Sequence, residues 1–301
     1  MNRTALLVPV LGLAWGFNWI AIRIGLAEIP PWTLRTVGFV AGSLALSALV
    51  LATGGSLRVP RPHWWRVAAT GMASFAAYGI LTALALRLGS TARSSVLAST
   101  MPIWTVILAW IFLGEHVDGR RWLGVGLGAA GLLALGWPIV QAGELNWGMP
   151  FAVLAGSCWA AGAVLQKRFP IAAPPIVIGT WQLATAAVTT IAGMLVLEGL
   201  PTSLPQRPET WAALAYHVVL AQALATCIWV TILVKLPAGV AALGSLMVPG
   251  VGVVSATLAL GEQPTLGDWL GLVLIVGASA TVMLPGRRAA RPATASEPPV
   301  A

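Results

Sequence analysis

The chain has 301 residues, of which 58% are hydrophobic and 9% charged, against about 25% charged in an ordinary soluble domain. The deficit runs the whole length, which excludes a soluble globular protein and points to an all-α integral membrane protein. The net charge of +8 is no sign of nucleic-acid binding, because the basic residues fall in short loops and the tail between apolar spans, as a positive-inside topology places them.

A helix crosses the bilayer in about 20 residues, and the sequence predicts ten such spans: 5–26, 32–52, 65–86, 91–113, 121–138, 148–167, 174–197, 211–233, 239–259 and 267–285. The first is too long for a signal-peptide core and carries Trp15, Asn18 and Trp19, so it reads as a retained helix. Pro30-Pro31, the stretch Gly54-Gly55 to Pro62, and the Pro-rich segment Leu200 to Pro208 mark breaks, and Gly114 and Gly261 close the fourth and ninth spans. The residues after Gly286 are rich in Ala, Pro, Arg and Ser and read as a disordered tail, 287–301. With the N-terminus in the cytoplasm, Arg3, Arg58, Arg61, Arg66, Arg120, Arg121, Lys167, Arg168, Lys235, Arg287, Arg288 and Arg291 lie inside. Arg23, Arg35, Arg87, Arg93 and Arg207 lie outside. Twelve against five predicts both termini in the cytoplasm. Trp32, Trp64, Trp65, Trp122, Trp147, Trp211 and Trp269 fall near span ends and read as interfacial anchors.

The chain also repeats itself. Trp15 matches Trp159, Arg23 matches Lys167 and Pro31 matches Pro175 at an offset of 144. Pro102 matches Pro249, Leu113-Gly114-Glu115 matches Leu260-Gly261-Glu262, and Trp122-Leu123-Gly124 matches Trp269-Leu270-Gly271 at 147. The collinear series divides the chain into 1–143 and 144–286, five spans each. Because five is odd, the second half is expected to enter the membrane upside down. Inverted repeats are a recurring construction for alternating access in secondary transporters.

Trp15-Gly16 in the first span, the stretch from Pro31 to Arg35, Ser94-Ser95 ahead of Pro102, and Leu-Gly-Glu after that span together resemble the EamA group of the drug/metabolite transporter superfamily. The resemblance covers nearly the whole chain and both halves. It implies ten helices, two inverted five-helix repeats and export of metabolites. The bacterial amino-acid exporters, including exporters of aromatic amino acids, are the branch it is most similar to, which implies the cell inner membrane. It departs from the small multidrug members, which carry a glutamate in the first helix where this chain has Trp15, Asn18 and Trp19.

All nine acidic residues fall at span ends, in loops or in the tail, so a cavity is expected to work with neutral groups. Trp15, Asn18, Trp19 and Ile22 share a helical face, as do Ser74, Tyr78 and Thr82, then Trp159, Gly162 and Gln166, then Gln222, Thr226 and Trp229. At the offset of 144, Tyr78 corresponds to Gln222 and Thr82 to Thr226. Prolines inside helices free the carbonyl four residues back, here Ala98 for Pro102 and Ser245 for Pro249. The candidate substrate-binding set is therefore Trp15, Asn18, Tyr78, Ala98, Pro102, Trp159, Gln222, Thr226, Ser245 and Pro249, with aromatic rings for the cargo's body and amides and freed carbonyls for its polar groups. The bland alternative for each hydroxyl is helix-to-helix bonding.

Glu115 and Glu262 are expected to cap the following helix or pair with Arg120 or Arg121, and the outer arginines Arg23, Arg35, Arg87 and Arg93 to pair with Glu28 or Glu144 or to guide anionic groups near the exit. Gly38-x-x-x-Gly42, Gly124-x-x-x-Gly128 and Gly267-x-x-x-Gly271 permit close helix packing, within the bundle or in a dimer. His217 lies in the eighth span near its outer end. No nucleotide-binding loop and no hydrolytic constellation is present, so neither an ATP-driven pump nor an enzyme is expected. No cofactor or metal is expected either. The expected partners are the lipid bilayer and an amino acid, with the chain a monomer or homodimer. Another metabolite or drug is the alternative cargo, and a membrane receptor or scaffold the alternative outside transport.

Overall fold

The structure, a computed structural model, describes residues 7–142, 147–229 and 238–283. The expected tail, Glu144 and Lys235 lie outside the described residues, as does the side chain of Ser245. Among the described residues the secondary structure is helical throughout: α1 (Leu7–Gly25), α2 (Pro31–Ala52), α3 (Arg61–Leu88), α4 (Thr91–Leu113), α5 (Gly119–Ala142), α6 (Gly148–Arg168), α7 (Pro175–Leu197), α8 (Pro208–Trp229), α9 (Ala238–Leu260) and α10 (Leu266–Met283). Seven of these, α1 to α4 and α6 to α8, are long and apolar enough to cross a membrane. Met247–Leu260 and Leu266–Thr281 are shorter apolar helices.

The ends follow from local chemistry. Pro31, Pro175 and Pro208 start their helices in the first turn, where a missing N–H costs nothing. Ser90 caps α4 by accepting from the Arg93 N–H at 3.1 Å. Gly114 and Gly261, at equivalent places in the two halves, end α4 and α9 in the left-handed region at φ 65° and 67°, which only glycine enters freely.

Helices from the two halves interleave. α1 packs along α9 and α6 along α4; α1 meets α8 and α6 meets α3; α2 packs along α7 and α5 along α10. The core between them is aliphatic and small, as in the cluster of Val96, Leu97, Leu135, Ala152, Val253 and Ile275. Large apolar residues also face outward, Val196 at 82% and Leu258 at 81% exposed, which suits a hydrocarbon surrounding and not water. Six of the seven expected tryptophan anchors are exposed; Trp32 instead lays its ring on α7 where Gly193 leaves room.

Members of each glycine pair pack inside the bundle. Gly38 and Gly42 lie against His217 and Gln222 of α8, Gly128 against Ile103, and Gly271 against Leu135. Gly71 makes the tightest backbone approach: a Cβ there would sit 2.8 Å from the Gln182 carbonyl oxygen and 3.0 Å from its Cα. Backbone cannot swing aside as a side chain can, so Gly71→Ala is expected to push α3 off α7. It should lower unfolding free energy by about 1–2 kcal/mol, within the overpacking range, read as a lower melting temperature in detergent.

Candidate functional site

A cavity of about 110 Å3 lies where the halves meet. Its wall takes Trp15, Asn18, Trp19 and Ile22 from α1, Arg35 and Phe39 from α2, and Phe75, Tyr78, Gly79 and Thr82 from α3. Ser99 and Met101 come from α4, Trp159 from α6, Ala221, Gln222 and Thr226 from α8, and Val248 from α9. Six of the ten candidate residues line it: Trp15, Asn18, Tyr78, Trp159, Gln222 and Thr226. Aromatic contacts cross between the halves from both of the repeat-related tryptophans, with different partners. Trp15 packs on Trp229 with ring centroids 5.7 Å apart and donates from Nε1 to the Ala221 carbonyl at 3.3 Å. Trp159 packs edge-on to Tyr78 at 5.1 Å and tilted on Phe75 at 5.5 Å.

Local backbone geometry positions these groups. α3 runs as a π-helix over Met72–Ala77 and α8 over Tyr216–Leu224, segments that correspond at the offset of 144. The wide turn of a π-helix re-aims side chains and recurs at functional sites; here it carries Phe75 in one half and Ala221 and Gln222 in the other into the cavity wall. Proline periodicity cannot signal it, since neither segment contains a proline.

The proline-linked candidates lie differently. α4 is broken at Ser99 and Thr100, and Pro102 sits in the first turn of the helix that resumes at Met101. It is therefore not a mid-helix proline, and its missing N–H is one that needs no partner. The Ala98 carbonyl, expected to face the cavity, points at α6, where a Cβ on Gly156 would be 2.9 Å away. Ser99 and Met101 line the wall in place of Ala98 and Pro102. Pro249 does lie inside continuous α9, but Val248 beside it is the lining residue.

The expectation of a wholly neutral cavity is overturned by Arg35. Expected at the outer side, pairing with Glu28 or Glu144 or guiding anionic groups near the exit, it is 4% exposed and lines the cavity, its Nη2 donating to Thr82 Oγ1 at 2.6 Å. It falls on the stripe Pro31, Leu34, Arg35, Gly38, Phe39, Gly42, Leu46 that α2 buries, so helical spacing carried the signal. His217 is 1% exposed, with Nδ1 2.8 Å from Asn18 Oδ1, and is not in the cavity wall. Gln166 turns away from the cavity to accept from Gln182, which also donates to Thr70; these are helix-bonding amides.

One end of the bundle is tied across the halves by carboxylates on helix N-termini. Glu198, after α7, accepts from the Trp32 and Thr33 N–H groups at 2.9 and 2.8 Å and from the Thr33 hydroxyl at 2.8 Å, capping α2. Glu262, after α9, accepts from the Thr91 and Ala92 N–H groups at 2.7 and 2.9 Å, capping α4 and not the helix that follows it. Glu28, after α1, accepts from the Gln206 and Arg207 N–H groups and the Thr210 hydroxyl at the start of α8. These bonds, the Thr210 hydroxyl foremost, hold the Glu28 carboxyl below the usual carboxylate range. Arg93 forks onto Asp268 at 2.7 and 3.0 Å, joining α4 to α10. Arg23 donates to the Leu86 and Gly89 carbonyls at this same end, not to an acid. Elsewhere Glu115 pairs with Lys167 and, at 3.8 Å, with Arg121.

The sequence matches the EamA-like transporter family over residues 2–137 and again over 146–284. The chain belongs to that family. Similar proteins include the uncharacterised inner membrane transporter YedA of Escherichia coli, 26% identical over 288 residues, covering 92% of each chain. A probable amino-acid metabolite efflux pump of E. coli is 27% identical over 281 residues, covering 90% of this chain and 91% of its own. A solved crystal structure superposes with a TM-score of 0.66 at 25% identity, covering 93% of this chain and 96% of that one. An EamA-like member is a transporter embedded in a membrane, which accounts for the outward apolar faces and for a cavity enclosed by helices.

Proposed function

We propose that this EamA-like chain is a secondary transporter that exports amino acids, or metabolites derived from them, across the cell inner membrane by alternating access, with broad or aromatic to apolar specificity. The observation that carries the reading is a cavity whose wall is drawn from both halves, with Trp15 and Tyr78 facing Trp159 and Gln222. A site split between two bodies changes its accessibility when the bodies rock against each other. The interleaved packing, in which each main helix pairing keeps a counterpart when the halves are exchanged, and the twofold family match support two five-helix repeats of opposite orientation, 1–143 and 144–286. Both termini then lie in the cytoplasm, as the charge distribution favours. The E. coli relative named for amino-acid metabolite efflux supports the cargo class.

In this reading Trp15, Tyr78 and Trp159 hold the cargo's apolar body and Asn18, Gln222 and Thr226 its polar groups. At about 110 Å3 the cavity is below the ~300–1,000 Å3 of formed ligand pockets, and loading is expected to widen it. Purified chain in liposomes is expected to show saturable uptake of a labelled aromatic amino acid. Trp15→Ala, Tyr78→Ala and Trp159→Ala are each expected to cut the initial rate about tenfold, a loss equivalent to about 1.4 kcal/mol. Rates equal to the parent's in all three would remove this site.

A further inference from the structure

Arg35 is the group in the cavity wall that the alternating-access reading leaves without a task. The residue is 4% exposed, and Nε has no hydrogen-bond partner. Its one side-chain acceptor is the Thr82 hydroxyl, which spends its own hydrogen on the carbonyls of Tyr78 and Gly79. Among the described residues the ion pairs involve Arg93, Arg121, Lys167 and Arg207, and no Asp or Glu lines the cavity. A guanidinium held in low dielectric without a counter-charge is costly, and such groups inside membrane helices mark ligand pathways. Its planar fork of N–H donors matches the two oxygens of a carboxylate.

We propose that Arg35 binds the cargo's carboxylate, and that the site prefers a monocarboxylate with an aromatic or apolar body, the cargo's ammonium being dispensable. The inference rests on the transport reading above and narrows its substrate class. Charge decides the order. The cavity holds one fixed positive charge and no acid, so a monoanion neutralises it. A zwitterion leaves a net positive charge for Asn18 and Gln222 to solvate, and an amine adds a second cation. Beside Arg35, the rings of Phe39, Tyr78 and Trp159 supply a wall for an arene. The Gly79 position, where a Cβ would press on the Phe39 ring at 2.7 Å and lie 3.6 Å from Arg35 Cδ, keeps the guanidinium and that ring side by side.

The test is calorimetric titration of the purified full chain in detergent with three probes of one shape: 3-phenylpropionate, phenylalanine and phenethylamine. The wild type is expected to bind 3-phenylpropionate at least tenfold more tightly than phenethylamine, with phenylalanine between. Arg35→Gln is expected to erase that ranking and Arg35→Lys to keep part of it. Phenethylamine binding as well as 3-phenylpropionate in the wild type, a ranking retained in Arg35→Gln, or no binding of any probe would overturn the proposal. If Arg35→Gln does not fold, the wild-type ranking decides alone. Flux in liposomes reports separately: the expected ranking without any flux would sink the transport reading and leave the carboxylate site standing.

Discussion

Arg93→Ala is expected to lower unfolding free energy by about 2–4 kcal/mol. The Asp268 carboxylate is 7% exposed and receives the Arg93 fork on both oxygens. Removing only the arginine leaves a buried negative charge with Thr265 as its remaining partner, and broken pairs of this kind are worth ~3–5 kcal/mol when fully buried. Arg93 itself is 23% exposed, so water reaches the site and the expected loss is set about 1 kcal/mol below that range. The Arg93→Ala, Asp268→Ala double variant is expected to be more stable than Arg93→Ala, because the stranded charge leaves with its partner. Melting temperatures of the parent, both single variants and the double variant in one detergent measure this as a coupling energy. Strict additivity would show that the pair contributes nothing as a pair.

Glu198→Ala is expected to cost about 1.5–3 kcal/mol. The half-buried carboxylate satisfies a hydroxyl and the Trp32 and Thr33 N–H groups at the first turn of α2, two donors that have no helical acceptor, at an end whose dipole favours a negative charge. Net worth per charge-assisted bond is ~1.5–3 kcal/mol, reduced here because water replaces part of it. Glu198→Gln keeps one acceptor oxygen and is expected to lose about half as much. The same variants should also load the conformational equilibrium: with the clasp weakened, a cysteine-reactive reagent applied in proteoliposomes should label a cysteine introduced at Ile29 faster than in the parent. Unchanged labelling alongside a lower melting temperature would mean that the cap supports folding but takes no part in opening.

Much of the architecture was legible because a bilayer imposes it. Helix limits from 91–113 or 174–197 match Thr91–Leu113 and Pro175–Leu197 because apolar length and Pro or Gly at the ends decide them. Trp15, Trp159, Tyr78 and Gln222 of the cavity wall were legible from faces repeated at an offset of 144, whereas Phe39 and Phe75 were missed. Arg35 was misplaced because its position one turn inside a span suggested an interfacial charge, whereas α2 turns its glycine stripe, and Arg35 with it, inward. Pro102 was misread because a proline within an apolar run looks the same whether the helix kinks through it or stops at Ser99 and restarts. The partners of Glu198, Glu262 and Asp268 lie 165 to 175 residues away; no local pattern encodes a cap supplied by the other half.

Those distant caps set a timetable for synthesis. When α2 leaves the ribosome its first-turn N–H groups lack the carboxylate that will hold them, since Glu198 follows Trp32 by 166 residues. At about 5–20 residues per second, that is a wait of about 8–33 s in or beside the membrane. The first half is thus an unfinished object while the second is being made, and its packing is completed late, when α7 arrives beside α2. A chain of this kind is expected to be most vulnerable to quality-control proteolysis during that interval, and truncations that stop short of Glu198 should be cleared more quickly than those that include it.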